Sequence, residues 1–113
     1  MITVETLKEY GADTDSGITR CAGMADFYLE MVKQAMTEDR FPALRKSIDD
    51  RDFQTAFEIA HCMKGIFANL SLDPVLNPVS EITELLRKKE DTDYSALLTR
   101  AETEYRRLLA LKD

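Results

Sequence analysis

From Phe53 to Ser71 the chain runs without a proline and with one glycine, Gly65, and its apolar residues return at the spacing of a helix. At about 100° per residue, Ala56, Ile59, Ala60, Met63, Ile66, Phe67 and Leu70 gather on one face, while Gln54, Phe57, His61, Lys64, Gly65 and Ala68 fall on the other. A long helix with one apolar stripe becomes stable by burying that stripe against other elements. Asp52 is a suitable N-cap for it. Breakers are scarce elsewhere too, with Gly 4 and Pro 3 in 113 residues, so the partners of this helix are expected to be helices.

The remaining pattern supplies them. Val4, Leu7 and Tyr10 suit a short helix ended by Gly11, and a second follows Asp15 with Ile18 and Cys21 before Gly23. From Ala25 to about Glu38, Phe27, Tyr28, Met31, Val32, Ala35 and Met36 are expected to form one buried stripe, with Met24, Met31, Met36 and Met63 as core filler. Pro42 opens a shorter helix carrying Leu44 and Ile48. Asp73-Pro74 and Asn77-Pro78 are both cap-plus-proline signatures, so the next helix starts at one of them, with Val79, Ile82, Leu85 and Leu86 inward. Asp91-Thr92-Asp93 caps a last helix, from Tyr94 to about Leu111. The expectation is an all-α, antiparallel four-helix bundle with short N-terminal helical segments: a single domain over 1–113, with 1–24 as short helices and about 25–111 as the bundle.

Composition narrows the function. A net charge of −6 argues against a nucleic-acid binder held by phosphate contacts. No apolar run reaches membrane length, and Cys21 and Cys62 fit no metal spacing, so a cytoplasmic protein with reduced, partly buried thiols and no metal is expected. No pair of carboxylates suggests acid–base catalysis.

The one histidine, His61, lies nearly opposite the centre of the apolar stripe and is expected to be exposed, with Lys64 at i+3 and Gly65 at i+4. Neutral imidazole is a nucleophile near neutral pH. A nearby ammonium favours the neutral ring and can pair with phosphoryl oxygens once they are attached. Gly65 costs about 1 kcal/mol in a helix interior; it either clears the surface for a partner or lets another helix pack closely. Phe57 reads either as an edge-of-core residue or as part of a docking surface. The bland alternative for His61 and Lys64 is solvated surface.

The run Ala60-His61-Cys62-Met63-Lys64-Gly65-Ile66-Phe67-Ala68-Asn69-Leu70-Ser71-Leu72 resembles the signature of the histidine-containing phosphotransfer (HPt) domains of bacterial phosphorelays. Met63 stands where that signature has Leu, Ser71 where Gly is usual, and Ile66-Phe67 replace small residues. Upstream, Tyr10-Gly11-Ala12-Asp13, Gly17-Ile18-Thr19-Arg20-Cys21 and Phe27-Tyr28-Leu29 are similar to the N-terminal half of single-domain members. The resemblance implies that His61 accepts a phosphoryl group from an aspartyl phosphate on a receiver domain and passes it on, without kinase activity. Lys64 would be the charge partner, Gly65 the clearance, and Phe57 and Ala68 part of an apolar docking patch. Thr83 and Arg87 are the candidates on the next helix to support the imidazole or its phosphoryl group, or are plain polar surface. Mg²⁺ belongs to the receiver, so no cofactor is expected on this chain. The expected partners are response-regulator receiver domains and a hybrid histidine kinase, met by a monomer. The alternative is a helical interaction module that docks on a receiver or kinase without being phosphorylated.

Overall fold

A computed structural model describes residues 1–112, and among these it holds α-helices, a closing 3₁₀ turn and no strand. The helices are α1 (Val4–Tyr10), α2 (Thr14–Arg20), α3 (Ala25–Thr37), α4 (Phe41–Asp49), α5 (Phe53–Asn69), α6 (Asp73–Arg87) and α7 (Ser95–Leu109). None is long and apolar enough to cross a membrane.

Local chemistry explains most of the boundaries. The Asp52 carboxylate accepts from the Thr55 amide at 3.2 Å and starts α5. Asp93 accepts from the Ser95 amide at 2.9 Å and starts α7. Gly11, at φ 114°, ends α1 in the left-handed region. The choice between the two proline signatures falls on the first: α6 begins at Asp73 with Leu72 as N-cap, and Pro78 lies buried inside the helix. Pro78 therefore withholds the amide that would have closed a turn onto the Pro74 carbonyl.

The helices form a bundle in which α5 is central. α5 packs most closely on α6, α6 on α7, and α4 on α5. α3 lies beside the C-terminal half of α5. Its Tyr28 hydroxyl donates to the Leu70 carbonyl at 2.8 Å, and its Ala35 carbonyl accepts from the Tyr105 hydroxyl at 2.9 Å. The core between these helices includes Leu44, Ala56, Ala60, Met63, Phe67, Val79, Ile82, Leu86, Leu98 and Leu108. α1 and α2 close the end where α5 turns into α6. Gly17 fits there because a Cβ would run into the Tyr28 ring and the Leu70 carbonyl.

One expectation about packing needs correction. Met24, Phe27 and Met31 are 56 %, 48 % and 36 % exposed rather than buried. Only the Tyr28, Val32, Ala35 and Met36 side of α3 meets the bundle, and the rest of its apolar stripe stays in solvent. Ser71, in the place of the usual glycine, lies just past the end of α5 at Asn69. Ser71 takes the left-handed conformation itself (φ 53°) in the turn to α6. Arg20 holds that turn by donating to the Ser71 hydroxyl at 2.6 Å and to the Ala68 carbonyl at 2.9 Å. These bonds offset a conformation that costs a non-glycine residue free energy.

Candidate functional site

The antiparallel course of α5 and α6 brings the last turn of α6 beside the first half of α5. His61 projects from α5 into solvent, and its ring stacks on Phe57 one turn earlier, with centroids 5.6 Å apart and planes 19° from parallel. Phe57 is half-buried, and the Arg87 guanidinium lies 5.0 Å from its ring centroid, within cation–π range. Phe57 is thus the apolar link between the imidazole of α5 and the guanidinium of α6.

A second connection is ionic. Lys64 Nζ lies 3.4 Å from Glu84 Oε2, and Arg87 Nε lies 3.3 Å from Glu84 Oε1. Desolvation pushes the Glu84 carboxyl up, but Lys64 and Arg87 outweigh it and hold the group below the ordinary carboxylate range. One carboxylate therefore gathers both cations of this face. All three side chains remain partly exposed, at 33 % for Lys64, 48 % for Glu84 and 50 % for Arg87.

Gly65 is exposed, and a Cβ built on it meets nothing within 4 Å. No neighbouring helix needs the glycine, so of the two readings of Gly65 the close-packing one has no contact behind it. Ala68 is half-buried two turns beyond His61, in the same row. The His61 face is consequently low on the Gly65 side and charged on the α6 side.

Thr83 is not part of this site. It is fully buried, and its hydroxyl donates to the Val79 carbonyl at 2.7 Å. Thr83 lies in the buried row of Val79, Ile82 and Leu86, whereas Glu84 and Arg87 turn toward Lys64 and Phe57. Glu84 is the residue that sequence reasoning missed. Its i,i+3 pairing with Arg87 was open to view, but a carboxylate on a helix face carries no mark of the lysine it meets on another helix. Cys62 is exposed, not partly buried, and Cys21 is half-buried; both are free thiols. Among the described residues no cluster of histidine, cysteine, aspartate and glutamate could hold a metal ion.

Comparison with protein-family models gives a match to the Hpt domain over residues 28–111. That span covers most of α3 and all of α4 to α7, with His61 and its surroundings inside it. The chain belongs to the Hpt domain family. α1 and α2, with the upstream resemblance noted in the sequence, lie outside the matched segment. No curated protein and no solved structure matches the chain. Hpt domains are phosphocarrier modules that work with receiver domains and kinases in phosphorelays.

Proposed function

We propose that this chain is a phosphorelay carrier in which His61 takes a phosphoryl group from the aspartyl phosphate of a receiver domain and hands it to another. In the first step a ring nitrogen lone pair attacks phosphorus. The N–P bond forms as the P–O bond to the aspartate breaks, and the aspartate leaves as carboxylate. The return step is the reverse, with a receiver carboxylate attacking and the imidazole leaving. Mg²⁺ bound by the receiver neutralises phosphoryl oxygens during transfer, and this chain supplies the nucleophile, not a cofactor.

The observation that carries the reading is an exposed imidazole with two cations within its own neighbourhood, Lys64 at i+3 and Arg87 through Phe57. Each cation can pair with phosphoryl oxygens once they are attached. The open space over Gly65 gives a receiver room to bring its phosphoaspartate to the ring. Phe57 and Ala68 supply apolar surface on either side of it. In this reading the chain is a cytoplasmic monomer without kinase activity.

The test is transfer from a phosphorylated receiver domain in Mg²⁺ onto the purified chain, scored as acid-labile, base-stable label. Wild type is expected to take label and His61→Gln to take none, with the thermal midpoint of the variant within a few degrees of wild type. A receiver that binds the chain yet transfers no label would favour the docking module instead.

A further inference from the structure

Glu84 stands between Lys64 and Arg87, whose guanidinium lies on the Phe57 ring that His61 stacks against, and nothing in the carrier reading uses it. Its separations from Lys64 and Arg87, 3.4 and 3.3 Å, are long for charge-assisted hydrogen bonds, which run to about 2.7–2.9 Å. The pairs are half exposed as well, so they are weak and easily exchanged. We propose that Glu84 is a positioning residue that limits how tightly the site holds a phosphoryl group on His61, by keeping Lys64 and Arg87 engaged with its own carboxylate. This inference rests on the reading of His61 as the carrier.

The charges give its direction. Lys64, Arg87 and Glu84 together carry one net positive charge, and without Glu84 they would carry two. An attached phosphoryl group brings a charge of about −1.5 to −2 and three strong acceptor oxygens. It competes with the Glu84 carboxylate for both cations and is repelled by it at the same time. A carrier must release its group as readily as it accepts it. A carboxylate that keeps the cations only partly available lowers the grip on phosphohistidine without touching the reacting nitrogen. Lys64 stays near the α6 side of this face when the phosphoryl group is gone, because Glu84 tethers it across the α5–α6 contact.

The experiment uses phosphoramidate as donor, so that no receiver is needed: the imidazole nitrogen displaces ammonia from phosphorus. Wild type, Glu84→Gln and Glu84→Asp are labelled, freed of donor, and followed for loss of phosphohistidine. Glu84→Gln is expected to hold its label about threefold longer than wild type, the size expected of one exposed charge interaction. Glu84→Asp is expected to match wild type. The difference between Glu84→Gln and wild type is expected to collapse in 1 M salt, where the Debye length is about 3 Å. A Glu84→Gln lifetime equal to or shorter than wild type overturns the inference. So does a lengthening that Glu84→Asp shares or that salt leaves intact, since that would be packing rather than charge. Wild type that takes no label at His61 overturns the carrier reading itself.

Discussion

On the flank of α5 that meets α6, the fully buried Ala56 and Ala60 lie in the rows of Phe57 and Lys64, and the two helices approach closely. On the flank that meets α3, the bulkier Met63, Ile66, Phe67 and Leu70 face Met31 and Ala35 across a cavity of about 160 Å³. The first flank is held by packing and decorated with ion pairs. On the second, the Tyr28 hydroxyl of α3 bonds the Leu70 carbonyl, and the Tyr105 hydroxyl ties the Ala35 carbonyl of α3 to α7. The difference follows from side-chain size. Small residues let backbones approach and bring distant charges such as Lys64 and Glu84 together, whereas large ones keep a helix at arm's length and leave its outer stripe in water.

Alkaline pH should separate the two flanks most strongly. Burial pushes both Tyr28 and Tyr105 up to about 12. A phenol raised in the folded state contributes stability in full below the unfolded value near pH 10, and that stability is lost as pH rises toward 12. Chemical denaturation between pH 10 and 12 should show stability falling by up to about 1.4 kcal/mol per pH unit for each hydroxyl. The double variant Tyr28→Phe, Tyr105→Phe should lessen that fall, leaving the part due to Tyr10 and Tyr94, whose phenols burial also pushes up. An equally steep fall in the double variant would show that α3 is not held by these groups.

Next in size is a pair of matched substitutions. Ala60→Leu forces a larger side chain into the tight flank and should cost about 1–3 kcal/mol in urea denaturation. Ala35→Leu adds the same atoms beside the cavity and should leave stability unchanged or raise it. Equal losses at the two positions would erase the contrast between the flanks.

The smallest effect is at the surface between them. Gly65→Ala meets no neighbour and should stabilise the fold by up to about 1 kcal/mol, the helix-propensity difference. Gly65→Gln should fold equally well yet slow transfer from a receiver. Normal transfer by that variant would remove the clearance role.

Much of this was legible from residues alone, for reasons that differ by element. The extent of α5, its Asp52 cap and the exposure of His61 follow from periodicity and capping, which act within a few residues. The end of α1 at Gly11 and the Asp93 carboxylate on the Ser95 amide, just ahead of the Tyr94 cap of α7, are equally local. The stripe of α3 was misread because apolar spacing tells which residues share a face but not how wide a surface the neighbours offer. Thr83 was read as a polar surface or site residue for a related reason. Thr83 completes an i, i+3, i+4, i+7 row with Val79, Ile82 and Leu86, but a polar hydroxyl at that position does not show that the row buries it.

The sequence by itself determined that the chain is helical, where its central helix begins, and that a lone imidazole with Lys64 and Gly65 lies on that helix's polar face. Those are matters of propensity, capping and a repeat of 3.6, which need no partner. Only the tertiary structure decided that Glu84 rather than Thr83 reaches the His61 face, that Arg87 arrives through Phe57, and that Met24, Phe27 and Met31 stay outside the core. Each of these depends on the phase and distance at which one helix meets another, and the side chains at the whole contact set both.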